Sequence, residues 1–341
     1  MSNPIFIARQ DTLEQEILPA HWLAQYKLFG EESYTFQDKE IWKKLCMSSA
    51  AANDRDMHAE ALEEMLTTFS AEHTGKWMLT VYGMDAAVLE GLASMAAIAA
   101  NGTAMAAVAG NALLMHAITN SQTAMRAIAN SQTAMHAIAN SETAMQRIAN
   151  STTAMDAIGG SKIARDAVQA SPYYDAKIKE NDMAIAKLVV GFANLESARY
   201  SGCAGMAADS TAMTAVAASS TAMTAVAASA TAMGKIAAVD AALSKLAAST
   251  TAMDALYARK KQMKGGSASK SGKFIILEIS QSNAFNTSKY GYATLSDGSK
   301  PDWSSYLAKY AFFQKYPKYA TYMLNDTDSD DYIYYFDIAS P

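Results

Sequence analysis

From Asn120 the chain reads NSQTAMRAIA, from Asn130 NSQTAMHAIA, from Asn140 NSETAMQRIA and from Asn150 NSTTAMDAIG. A second block carries the phrase in a new phase: STAMTAVAAS from Ser210 and again from Ser220, ATAMGKIAAV from Ala230 and TTAMDALYAR from Thr250. A short fixed period dictates architecture before any local reading does. Met recurs at 105, 115, 125, 135, 145 and 155, and a β-branched residue follows three positions later, at Val108, Ile118, Ile128, Ile138, Ile148 and Ile158. The second block has Met213/Val216, Met223/Val226, Met233/Ile236, Leu243/Leu246 and Met253/Leu256. Ala fills most other positions and Asn, Ser or Thr the joins. Ala and Met favour helix, Ser and Asn its ends, and residues three apart share a helix face. Each unit therefore reads as two helical turns bearing one Met–Ile knob, closed by a polar joint.

Ten residues at about 100° each fall roughly 80° short of whole turns, so a straight helix would smear the knobs around its surface. Either the helix underwinds into a steep left-handed supercoil, or it breaks at each Asn–Ser joint into short helices that fold on one another. The joints favour breaks, with each Ser side chain accepting from an N–H one turn on. Helices this short are marginal alone, and one Met with one Ile buries about 4 kcal/mol of apolar surface per unit at best. Sister chains packed about a shared axis would supply the missing walls, which predicts an elongated homotrimer.

The rest of the chain frames this array. Half of its 341 residues are apolar and the net charge is −5, which excludes a disordered polyanion and argues against non-specific nucleic-acid binding. Cys46 and Cys203 are its only cysteines, too few and too far apart for a disulfide framework. The opening residues carry no basic stretch followed by an apolar one, so no signal peptide is expected. Residues 91–119 lack charge and could span a bilayer by length. They already carry the repeat, and a buried helical core is expected there, with no membrane insertion.

Residues 1–90 are expected to form an attachment module, with aromatics Trp22 to Trp42 and helical patterns over 38–47 and 54–69. The first repeat block spans 91–171 and ends on a degenerate unit with Arg165 where Met should stand. Residues 172–205 form a helical interlude, its stripe running Ile178, Ile185, Leu188, Val189, Phe192, Leu195, with Gly202 and Gly205 as a hinge. The second block covers 206–259. Residues 260–273, KKQMKGGSASKSGK, read as a solvated flexible linker.

Residues 274–341 hold sixteen Phe, Trp or Tyr and read as a compact α+β tip. Strands are expected at 274–279 and 290–295, with a turn at Asp297–Gly298. A helix is expected over 303–316, and a hairpin formed by 319–324 and 332–338 around NDTDSDD. The fold class is therefore mainly α: an Ala-rich decapeptide-repeat shaft with a small α+β module.

No catalytic pattern emerges. His116 and His136 occupy the variable slot after Met. Asp326, Asp328 and Asp330 open like a calcium loop, but Asp331 and Asp337 stand where an EF-hand needs Gly and Glu. No cofactor or metal is expected, and no enzymatic role, since a depolymerase needs paired carboxylates in a groove. The aromatic tip has too many rings to bury them all. Tyr290, Tyr292, Trp303 and Tyr306 are the candidate ligand-binding residues, since Tyr and Trp supply contact area at low entropic cost.

Arrays of S-x-TAM-x-A-(I/V)-A resemble those of tail-fibre and related appendage proteins of tailed bacteriophages. The TAM triplets at 103–105, 123–125, 133–135, 143–145, 153–155, 211–213, 221–223, 231–233 and 251–253 carry the likeness, over roughly half the chain. It implies a trimeric virion component assembled in host cytoplasm, with partners among tail or baseplate proteins and a tip that meets a host glycan or protein. A connector that binds only virion proteins is the alternative. A bacterial adhesin is disfavoured by the missing export signal.

Overall fold

The computed structural model describes residues 95–280, 290–303, 307–326 and 331–341. The expected attachment module at 1–90 lies outside them. The chain divides into two compact units, Met1–Lys177 and Ile178–Pro341.

In the first unit, every repeat is its own helix. The helices are α1 (Met95–Ala100), α2 (Gly102–Gly110), α3 (Ala112–Asn120), α4 (Gln122–Ala129), α5 (Gln132–Ala139), α6 (Glu142–Ala149), α7 (Thr152–Gly160), α8 (Lys162–Gln169) and the short α9 (Tyr174–Lys177). The breaks fall at the expected joints. Asn130 ends α4 in helical conformation (φ −93°, ψ 0°), and Ser131 is extended (φ −105°, ψ 118°), so one residue redirects the chain. Each of the first five helices packs most heavily, among those after it, on the third: α1 on α4, α2 on α5, α3 on α6, α4 on α7 and α5 on α8. Three helices thus make one turn of a coil, and the next turn lies on top.

The buried face follows directly from the phrase. In α4 it is Ala124, Met125, Ile128 and Ala129; in α5 it is Ala134, Met135, Ile138 and Ala139. These positions share one helical stripe. Met125, Ile128, Met135 and Ile138 are completely buried. The packing argument for sister chains is thereby overturned. The missing walls come from the same chain's helix thirty residues on, and no second copy is needed to seal the Met–Ile core.

Serine stitches the turns together. Ser131, Ser141, Ser151, Ser161 and Ser171 donate Oγ–H to the carbonyls of Ala99, Ala109, Thr119, Ala129 and Ala139, each 32 residues earlier, at 2.5–2.6 Å. In the first four, the same oxygen caps its own helix by accepting from the N–H three residues on. The Gly159 carbonyl, two steps beyond Ala139 in this series, takes a different donor. Arg165, in a Met slot and nearly buried, donates to the Gly159 carbonyl at 2.6 Å. Its guanidinium pKa is lowered by burial, against the pull of Asp166. The odd residue of the last repeat is a structural substitute.

The second unit opens with a longer helix, α10 (Asp182–Phe192), followed by α11 (Cys203–Ala208), α12 (Ser210–Ala218), α13 (Ser220–Ala228), α14 (Ala230–Ala237), α15 (Asp240–Ala247) and α16 (Thr250–Tyr257). The rule of three holds again: α10 packs on α13, α11 on α14, α12 on α15 and α13 on α16. Lys187 of α10 is buried and donates from Nζ to the Ser197 carbonyl at 3.1 Å. Gly202 is a close contact. A Cβ there would meet Asp182 Oδ2 at 2.3 Å, and Asp182 accepts from the Cys203 N–H. No single helix among the described residues is long and apolar enough to cross a membrane; α12 and α13 reach that length only as a pair bent by 101°.

The sheet module has strands β1 (Lys261–Lys264), β2 (Ala268–Ser280), β3 (Tyr290–Leu295), β4 (Asp302–Trp303), β5 (Ala320–Asp326) and β6 (Tyr332–Asp337), and helix α17 (Ala311–Lys315). The order is β1-β6-β2-β5-β3-β4, with every pair antiparallel. The strands at 274–279 and 290–295 and the turn at Gly298 (φ +84°) match the sequence reading.

Three expectations are corrected here. The supposed linker 260–273 supplies β1 and the first half of β2, and its Met263 enters the core. The helix expected over 303–316 shrinks to α17, because Leu307 bridges Ile279 in backbone pairing. The expected hairpin does not form: β5 and β6 flank β2 on opposite sides. A thirteen-residue strand satisfies both neighbours, pairing β5 through its first half and β6 through its second.

Candidate aromatic face of the sheet module

One side of the sheet is core. Met323, Ala293, Trp303 and Phe312 pack there, with the Trp303 and Phe312 rings edge-to-face at 5.7 Å. Gly291 makes room for the indole, since a Cβ at that position would lie 2.3 Å from Trp303 Nε1. Trp303 is 3% exposed. Of the four candidate ligand-binding residues, it is therefore a core residue and not a surface one.

Strand register defines the other side. Tyr292 pairs Leu324, which pairs Ser269; Thr294 pairs Tyr322, which pairs Ser271; and Tyr292 also pairs Asp302. Directly paired residues present their side chains to the same face. That face thus carries Ser269, Ser271, Tyr322, Leu324, Tyr292, Thr294 and Asp302, all half-buried or exposed. The rings of Tyr292 and Tyr322 lie 5.7 Å apart at 37°. A pair of tilted phenols among hydroxyls, with one carboxylate at the edge, can stack on a flat ligand and exchange hydrogen bonds with it.

Tyr290 begins β3, opposite Asp326. Tyr306 lies outside the described residues. The structure brings Tyr292 to Tyr322, a residue that sequence reasoning missed. Alternation alone could have placed Tyr322 outward once Met323 was taken as core, but its neighbour on β3 depends on register. Beside this face, Asp297 sits in the β3–β4 connection. The Ser299 hydroxyl and backbone N–H, followed by Lys318, hold its carboxyl below the usual carboxylate range.

No group of three or more His, Cys, Asp or Glu among the described residues is arranged to hold a metal. Asp326 of the calcium-like run accepts from the Ser267 hydroxyl, while Asp328 and Asp330 lie outside the described residues. His136 is exposed and contacts Asn140 Nδ2 through Nε2 at 3.3 Å. It borders a trough of about 700 Å³ between α2 and α5, lined on the α2 side by Gly102, Ala106 and Gly110. No family model matches the chain, and no curated protein matches it.

Proposed function

We propose that this chain is a structural component of a phage virion appendage, a tail fibre or a similar part. The repeat coil is its scaffold and the C-terminal sheet module its contact surface. The repeat phrase and its resemblance to appendage proteins motivate the assignment. The observation that carries the contact role is the open face built on Tyr292 and Tyr322. Its residues are uncharged apart from Asp302, which suits a neutral, hydroxyl-rich partner such as a host surface glycan. A role without catalysis fits a protein whose repeated residues serve packing and capping.

A homotrimer now rests on the resemblance alone, because the burial that called for it is met within one chain. Mass measurement in solution tests it. The contact role is tested by screening the full chain, and its Tyr292→Ala and Tyr322→Ala variants, against surface polysaccharides. Binding that both substitutions abolish supports the reading. Binding unaffected by either removes this face from the role. Absence of any polysaccharide binding, together with capture of purified tail or baseplate proteins, favours the second reading, a connector between virion proteins.

A further inference from the structure

The last repeat departs from its predecessors where it meets the sheet. The slot held by Ala217, Ala227, Ala237 and Ala247 is taken by Tyr257. This ring lies 5.7 Å from Tyr310, edge-to-face, and 6.3 Å from Tyr334 of β6. Lys260 and Lys309 stand 4.1 and 4.3 Å from its centroid. Four side-chain hydrogen bonds join α15 and α16 to the sheet module, and each ends on a carboxylate. Tyr257 donates to Glu278 at 2.5 Å; Lys309, at 3.2 Å, and Tyr310 donate to Asp254; Lys318 donates to Asp240 at 2.7 Å. Lys318 also lies 3.5 Å from Asp297. Tyr310 holds a left-handed backbone (φ 71°), which a bulky residue adopts only when its surroundings impose it. Its N–H donates to the Leu277 carbonyl at 2.5 Å.

We propose that this joint is charge-gated: Asp240, Asp254 and Glu278 hold the sheet module on the end of the repeat coil, and protonating them lets it come away. The inference stands apart from the appendage reading and needs no ligand. Every donor at the joint is a lysine or a phenol, so each bond draws its strength from a charged acceptor. Remove the charge and Lys309 loses its counter-ion, while Lys318 keeps only the more distant Asp297, at 3.5 Å. Lys260, which faces the Tyr257 and Tyr334 rings and has no carboxylate partner among the described residues, then adds to the positive charge there.

The direction follows from linkage. The Tyr310 and Lys309 bonds hold the Asp254 carboxyl below its ordinary value. Its contribution is complete above about pH 4, the unfolded value, and is lost as pH falls through the folded one. Lys309 and Lys318 are raised, by bonding to Tyr310 and to Asp240 respectively, and Tyr257 and Tyr310 are raised by burial and then by their carboxylate partners. Their contributions are complete below about pH 10 and fade above it. The joint is therefore tight through the neutral range and loosens at both extremes.

The test is hydrogen exchange on the full chain, corrected for intrinsic rates, from neutral pH to about pH 2, below the depressed Asp254 carboxyl. Amides of α16, β2 and β6 are followed against those of α5 and α6 as an internal reference. Exchange at the joint should accelerate on the order of tenfold to a hundredfold before the reference helices respond, since three weak pairs are lost together. Asp254→Asn and Glu278→Gln should each open the joint at neutral pH, and Asp254→Asn should flatten its acid response. Salt at about 1 M should mimic part of the effect by screening. The idea is overturned if joint and reference amides lose protection together. It is equally overturned if Asp254→Asn keeps the wild-type pH profile. The wild-type titration decides the matter even where a variant does not fold.

Discussion

Ser151 is the sharpest probe of how the coil is held together. Its Oγ accepts from the Ala154 N–H at 3.1 Å and donates to the Thr119 carbonyl at 2.6 Å, both in buried surroundings. One oxygen therefore caps α7 and ties it to the turn below. Ser151→Ala removes both bonds. Losing the cap costs about 1 kcal/mol, and withdrawing the donor from a buried carbonyl costs about 1–3 kcal/mol, for a total of roughly 2–4 kcal/mol. Ser151→Gly separates the two, because glycine at a cap position costs only a few tenths of a kcal/mol. It should lose the inter-turn bond alone and fall between wild type and alanine. Ser151→Thr keeps the hydroxyl and should lie closest to wild type. Ser220 is exposed and its hydroxyl caps nothing, so Ser220→Ala should stay within about 0.5 kcal/mol. Urea titration followed by circular dichroism ranks the variants by midpoint, which remains meaningful if a repeat array departs from two-state behaviour. If Ser151→Ala is no worse than Ser220→Ala, the i−32 ladder carries no stability and the stacking account fails.

Other outcomes follow from the same geometry. Ile138→Ala empties a fully buried site and should cost about 2–5 kcal/mol, read as a lowered urea midpoint; a loss below about 1 kcal/mol would mean the coil interior is loosely packed. Gly291→Ala drives a methyl into the Trp303 indole and should cost about 1–3 kcal/mol, with altered tryptophan emission; full retention of both would contradict the packing of that ring. Glu180 binds the Ala230 and Thr231 N–H groups at the start of α14. Desolvation would raise its carboxyl, but the Thr231 N–H and hydroxyl and the Ala230 N–H outweigh it and hold the group below its ordinary value. Its contribution is therefore present above about pH 4.3 and lost as pH falls. Glu180→Gln should cost under about 1 kcal/mol at neutral pH and reduce the acid sensitivity of the helices; an unchanged acid limb would exclude it.

What the sequence determined by itself was local. Composition and the Met–x–x–Ile spacing settled that the units are helical and which stripe is buried, because residues within two turns decide both. The Asn–Ser joints were legible as breaks, because an N-cap is a contact across three residues. Four of the sheet's strands and one turn were legible for the same reason, from alternation and Asp–Gly, although the partners of the last two were not. Which surfaces meet was a matter for the folded chain as a whole. A Met–Ile stripe looks identical whether its cover is a sister chain or the helix thirty residues on; the bend at each joint makes that choice, and no residue spells out its angle. Nor does any stretch announce that β2 separates β5 from β6, or that 261–264 becomes an edge strand, because strand order is set by pairing between distant segments. Trp303 and Tyr292 show the same divide at the candidate site. Both are aromatic and eleven residues apart, yet register sends one into the core beside Gly291 and leaves the other on the open face next to Tyr322.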